Sequence, residues 1–221
     1  MGRVKVSGSP TSSEVARVLV CLFEKNVEFQ LTRVDIYNGL EKKPEYLKLQ
    51  PNEKPLTFED DVTNLVESRA ICRHICEKYK DQGNTDILGI GERERKLVDQ
   101  WLLIEADKFE PLNSDLVFDL IFLEFATTIS LRVHSNKEAI EEYKKKLGKV
   151  LDVYEQRLQE TRFLAGDKFT LADLYHLPDV HRLIKSTLCA DLFASRKMVT
   201  NWWKEISSRA SWKKVMEMQV E

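Results

Sequence analysis

Glycine, proline and cysteine are scarce in this 221-residue chain, at 8, 6 and 4 residues, and each scarcity closes a possibility. So few glycines and prolines exclude a collagenous repeat or a disordered low-complexity tract. The cysteines, Cys21, Cys72, Cys76 and Cys189, are scattered and form no C-x-x-C pair, which argues against a disulfide scaffold, a zinc ribbon or a dithiol motif. Cys72 and Cys76 lie one helical turn apart with no further ligand cluster near them, so all four read as small core hydrophobes. His74, His134, His176 and His181 show no H-E-x-x-H or other metal spacing, and no metal site is expected. Long hydrophobic runs are missing as well. No stretch approaches the roughly 18 apolar residues of a membrane span, and the N-terminus shows no charged-then-apolar leader, so the expected location is the cytosol with no membrane partner. Neither charge dominates: 34 Lys and Arg stand against 36 Asp and Glu, a net charge of -2 with a pI near 6.2. No basic field marks a nucleic-acid surface.

What is present suits a helix-rich globular protein, with 43% hydrophobic and 32% charged residues and length for one large domain or two small ones. Val4 to Val6 alternates as a strand does. The polar loop Gly8-Ser9-Pro10-Thr11-Ser12-Ser13 follows, and from Glu14 the residues Val15, Val18, Leu19, Leu22 and Phe23 recur on one face of a helix running to about Asn26. Glu28 to Val34 alternates again, and strand, helix, strand is a crossover unit with parallel strands. After a loop with Asn38-Gly39 and a short helical turn, Pro44 to Leu49, come two strands, Leu56 to Glu59 and Asn64 to Val66. The turn Asp60-Asp61 joins them as a hairpin. A helix over Ser68 to Tyr79 closes a small mixed-sheet domain of about 80 residues.

From Glu92 onward helical periodicity takes over, at roughly Glu92 to Phe118, Leu120 to Val133, Lys137 to Glu160, Leu171 to Leu188 and Val199 to Ser207, with a last turn near Trp212. Thr170-Leu171-Ala172-Asp173 has the capping-box form, flanked by Phe169 and Leu174 as a hydrophobic staple. That is a folding device, which sets where its helix begins.

The loop before the first helix is where chemistry is expected. A strand running straight into a helix leaves the first-turn N–H groups facing the loop, and those donors with the macrodipole attract anions. Ser12 or Ser13 is placed as the N-cap, and a hydroxyl there serves either as a cap or as a reactive donor.

With Ser12, Glu67-Ser68-Arg69-Ala70-Ile71 and the Thr170 to Asp173 box in place, the chain resembles a glutathione transferase over its whole length. Arg17-Val18-Leu19 with Glu24-Lys25-Asn26, and Val66 through Arg73, are similar to the plant phi class in particular. The resemblance implies an α/β plus all-α fold: a thioredoxin-like glutathione-binding domain with a mixed four-stranded sheet (1–80), a linker (81–91), and an all-helical domain carrying the electrophile site (92–221). It also implies a homodimer, with glutathione as co-substrate and no other cofactor. In that family Ser12 would stabilise the glutathione thiolate, a free thiol otherwise ionising near pH 8.5. Ser68 and Glu67 would hold the γ-glutamyl carboxylate and ammonium. Pro55 resembles the family's cis-proline, presenting the backbone of Lys54 to the cysteinyl part, and Lys42 matches the lysine for the glycine carboxylate. Thr11 would touch glutathione and, with Phe118 and Phe122, line an apolar electrophile pocket.

Two departures stand out. The loop Gln50-Pro51-Asn52-Glu53-Lys54-Pro55 is one residue shorter than the family's run and lacks its glycine and glutamine. Glu41 occupies the position where phi members commonly carry histidine. Negative charge at Glu41 and Glu53 beside an anionic ligand implies weakened glutathione binding. Three functions are therefore distinguished. The first is conjugation of glutathione to hydrophobic electrophiles in detoxification. The second is a non-catalytic, ligandin-type binding protein of the same fold. The third is a thiol transferase or dehydroascorbate reductase, which needs a cysteine where Ser12 stands, and the nearest, Cys21, lies on the third turn of the helix.

Overall fold

A computed structural model describes residues 4–34, 56–118, 137–186 and 188–220. Contacts divide the chain into two compact units, Met1–Leu88 with Ser208–Glu221, and Gly89–Ser207.

In the first unit β1 (Val4–Ser7), α1 (Ser13–Glu24) and β2 (Phe29–Thr32) form the expected crossover, with β1 and β2 parallel and Val4 opposite Phe29. The strands β3 (Thr57–Glu59) and β4 (Asn64–Leu65) pair as the expected hairpin, and β3 runs antiparallel to β1, with Val6 opposite Phe58. The sheet order is β2-β1-β3-β4. Its alternation puts Val4, Val6 and Phe58 in the core while Lys5 and Glu59 pair across strands at 3.0 Å in solvent. The helix α2 (Ser68–Lys78) packs on α1 through Ile71, Cys72, Ile75 and Cys76. Burial extends almost around α1, whose Val15, Val18, Leu19, Val20 and Leu22 are inaccessible.

In the second unit α3 (Gly91–Ile104) passes through a π turn (Glu105–Phe109) into helical residues 110–118. Periodicity alone reads this as one unbroken α-helix. The turn takes one extra residue and alters the register, so that Glu105 and Phe109 both face the core. There Phe109 meets His176 edge-on, with centroids 4.7 Å apart. The long helix α4 (Lys137–Glu160) has the bounds expected of it. The helix expected over 171–188 is divided into α5 (Leu171–Leu174) and α6 (Leu177–Lys185), because Pro178 has no N–H for a continuous ladder and is tolerated in the first turn of a new helix. Beyond it come α7 (Ala190–Ala194), not read from the sequence, and α8 (Lys197–Ser207). The expected helix over 120–133 lies outside the described residues.

The chain ends in α9 (Ala210–Met218), a full helix where a single turn near Trp212 was expected. It packs on α1 and joins the unit of the sheet, whereas the boundaries drawn from sequence grouped it with the helices. The cause is an anchor at the end of α1. Glu24 accepts from Arg209 Nε and Nη2, each at 2.7 Å, and from Ser211 Oγ and Asn84 Nδ2.

Candidate active site

The sequence from β1 to α1 builds a tight loop. Gly8 has φ +145°, a conformation that suits glycine, and its N–H reaches Thr32 O at 3.0 Å, extending the β1–β2 ladder. Ser9 and Thr11 share a hydroxyl hydrogen bond of 2.8 Å, and Ser12 N–H donates to Ser9 O at 2.9 Å. From the far end of the chain, Gln219 Nε2 donates to Pro10 O at 2.9 Å. Ser12 then occupies the N-cap in extended conformation (φ −72°, ψ 134°), and its side chain makes no capping hydrogen bond. Its carbonyl starts the helix by accepting from Ala16 N–H. A half-buried hydroxyl therefore stands at the positive end of α1 without being spent on the cap.

The start of α2 is built differently. Ser68 is 2% exposed and its Oγ accepts from Arg17 Nη1 at 2.9 Å. An accepted bond orients a hydroxyl while leaving its own hydrogen to donate. Arg17, also 2% exposed, belongs to α1, so one guanidinium ties the two helices whose N-termini carry Ser12 and Ser68. Glu67 is the exposed residue at the N-cap, where its side chain makes no capping bond. By sequence Arg17 belongs to the segment that resembles the phi class and has no expected role. The available signal was an arginine flanked by apolar positions on a helix that is buried nearly all round.

Of the other expected site residues, Thr11 is exposed in the loop, held through Ser9. Phe118 is 70% exposed at the end of its described helix. Glu41, Lys42, Lys54, Pro55 and Phe122 lie outside the described residues, as do the shortened loop and its proline. A cavity of about 870 Å³ opens in the helical unit, lined by Arg93, Leu97, Arg157, Thr161, Gly166 and neighbours. It contains none of the expected site residues. Among the described residues no cluster of three His, Cys, Asp or Glu side chains is placed to hold a metal ion, and no helix is long and apolar enough to cross a membrane.

Asp173 has the structural role expected of it. Thr170 Oγ1 accepts from Ala172 N–H at 3.3 Å and Asp173 Oδ2 accepts from Thr170 N–H at 3.1 Å, completing the capping box. Its other oxygen accepts from Leu164 N–H and Trp202 Nε1, so the cap also joins α5 to α8.

A four-stranded mixed sheet with a parallel β-α-β start, followed by a helical unit that contains a buried capping box, defines a class of protein, and comparison with known families identifies it. Residues 3–77 match the glutathione S-transferase N-terminal domain and residues 109–210 the C-terminal domain. The chain belongs to the glutathione S-transferase family. Within it the similarity is to the phi, or F, class of plants: glutathione S-transferase F11 of Arabidopsis thaliana is 41% identical over 97% of this chain and 98% of its own length. The crystal structure of glutathione transferase F2 from Populus trichocarpa is 49% identical with a TM-score of 0.90, covering 98% of this chain and 99% of its own. Glutathione S-transferase I from maize, solved with an atrazine glutathione conjugate, is 26% identical with a TM-score of 0.85, covering 99% and 98% of the two chains.

Proposed function

We propose that this protein conjugates glutathione to hydrophobic electrophiles, with Ser12 stabilising the thiolate. The observation that carries the reading is the Ser12 hydroxyl, free of the cap at the positive end of α1. Donation from Oγ to the sulfur, added to the field of the helix, favours thiolate over thiol and lowers the thiol's pKa. Ser12 is a stabiliser of charge and attacks nothing, so it needs no histidine beside it. Ser68, aligned by Arg17, donates its hydroxyl hydrogen to the γ-glutamyl carboxylate, and Glu67 pairs the ammonium. Thr11, Lys42, Lys54 and Pro55 complete the glutathione side in this reading, while Phe118 and Phe122 with Thr11 face the electrophile. Glutathione is a co-substrate, and the reaction calls for no resident cofactor or metal. Its rate gain comes from the stabilised thiolate and from holding two substrates side by side.

The test is conjugation of glutathione to a generic aromatic electrophile by the wild type and by Ser12→Ala. The expected loss is about 10²-fold or more, the scale of removing one donor aimed at developing charge. No wild-type rate, with no retention on immobilised glutathione, would falsify the reading and leave a ligand-binding protein. The acids Glu41 and Glu53 are expected to weaken glutathione binding. Glu41→His, together with a restored loop length, should lower the KM for glutathione; an unchanged KM refutes that account. The assembly proposed is a cytosolic homodimer, as the family resemblance implies. A solution mass near the monomer's 25.8 kDa would refute it.

A further inference from the structure

Between α1 and α2 lies a thiol cluster that the proposed reaction does not use. Cys21 is on α1, and Cys72 and Cys76 stand one turn apart on the face of α2 that meets it. All three are free and buried. Cys21 Sγ lies 3.5 Å from Cys76 Sγ. The Cys72 thiol donates to Arg17 O at 3.7 Å, and the Cys21 thiol also reaches Cys72 O at 3.6 Å. The close sulfur–sulfur contact is therefore Cys21 with Cys76. A disulfide needs its sulfurs about 2.05 Å apart, so this pair has about 1.5 Å to close.

The surroundings are those of a guarded site. Lys25, one turn beyond Cys21 on the same stretch of chain, is fully buried, and its Nζ donates to Asn84 O at 2.8 Å and Lys80 O at 3.4 Å. Burial pushes its pKa down, and negative charge at Cys76 or Cys21 would favour its ammonium form. Burial also pushes the Cys21 thiol well above its ordinary range. Burial keeps the Cys21 thiol protonated and slow to react at rest, and the positive charge of Lys25 favours a thiolate once one forms.

We propose that Cys21 and Cys76 are an oxidative cross-linking site, forming an intramolecular disulfide between α1 and α2 with a hydroperoxide as oxidant. One thiolate attacks the peroxide oxygen, the O–O bond breaks, and a sulfenic acid and an alcohol or water result. The second sulfur attacks the sulfenyl sulfur, the S–S bond forms, and hydroxide leaves as water. Two thiols give up two electrons and two protons, and the peroxide takes both. Because 55 positions separate the two cysteines, the cross-link closes a long loop of the unfolded chain, so the oxidised form should melt higher. The inference stands apart from the conjugation reaction, since none of its residues is placed at glutathione.

The test is exposure of the native wild-type protein to hydrogen peroxide, then quenching, alkylation in urea and non-reducing peptide mapping. A free small thiol in a parallel tube shows that oxidation was complete. The expected result is loss of two alkylatable thiols, a mass lower by two hydrogens, a Cys21–Cys76 cross-linked peptide that dithiothreitol releases, and a melting temperature raised by several degrees. The variant Cys72→Ser should still cross-link. Four alkylatable thiols after treatment, or oxidation confined to Cys72, Cys189 or sulfinic acid without the cross-link, overturns the proposal. The wild-type map decides the matter even where a core variant fails to fold.

Discussion

Replacing Asp173 with asparagine tests how the helical unit is held together. The carboxylate is fully buried and accepts four hydrogen bonds. Oδ1 takes Leu164 N–H at 3.0 Å and Trp202 Nε1 at 2.9 Å, while Oδ2 takes Thr170 N–H at 3.1 Å and the Thr170 hydroxyl at 3.3 Å. Burial pushes this carboxyl up to about 6 against the pull of those donors, so it is chiefly ionised at neutral pH. Asparagine keeps the shape and turns one acceptor into an NH₂. With the NH₂ at the Oδ1 place, its hydrogens face two N–H groups that cannot accept. At the Oδ2 place Thr170 N–H loses its acceptor while the hydroxyl turns to accept and gives up its own, and this is the cheaper orientation because a hydroxyl can rotate and a backbone N–H cannot. One unpaired buried donor costs about 1–3 kcal/mol, and the remaining bonds lose their charge assistance, for a total of about 2–4 kcal/mol. Asp173→Ala removes every acceptor and leaves a void, so it should cost at least about 4 kcal/mol. Urea unfolding followed by tryptophan fluorescence measures both, with Trp202 itself in the network. A loss under about 1 kcal/mol for Asp173→Asn, or an alanine variant no worse than the asparagine one, refutes the reasoning.

Glu24→Gln should cost about 2–3 kcal/mol, less than breaking a wholly buried pair because the Arg209 side chain is 31% exposed; thermal unfolding within about 0.5 kcal/mol of wild type would show that the anchor of α9 is idle. Burial alone would raise the Glu24 carboxyl, but hydrogen bonds from Arg209, Ser211 and Asn84 hold it below its usual 4.5. Its stabilisation is therefore complete above that value and is lost as the pH falls below it through the folded pKa. Unfolding free energy should drop more steeply across that window in wild type than in Glu24→Gln, and equal slopes would refute the assignment. Gly83 has φ +53°, and a Cβ there would press on Glu24 O and the backbone of Lys25. Gly83→Ala should then cost about 2 kcal/mol or more, and a melting temperature unchanged from wild type would contradict it.

Local signals were legible wherever one residue type settles the local physics. Alternation placed β1 and β2, and the helical crossover between them made them parallel. Thr170 and Asp173 announced the cap because both partners lie within four residues. Failures came where the cause was distant. The π turn at Glu105–Phe109 follows from what Phe109 meets in the core, and α9 was reduced to a turn because its anchor, Glu24, lies 185 positions away. Pro178 restarts the helix within a stretch whose periodicity is otherwise continuous.

Taken alone, the sequence determined the order of the strands and helices of the sheet unit up to α2, the serine before α1 and the family to which the chain belongs. All of these rest on short-range pattern and residue type, which survive in one dimension. The tertiary structure decided which polar groups are spent. It left the Ser12 hydroxyl out of its cap, turned Arg17 inward to Ser68, brought Gln219 to Pro10 and set Cys21 against Cys76. Each of those pairings is a choice among many donors and acceptors, and it is made by which helix faces are buried together.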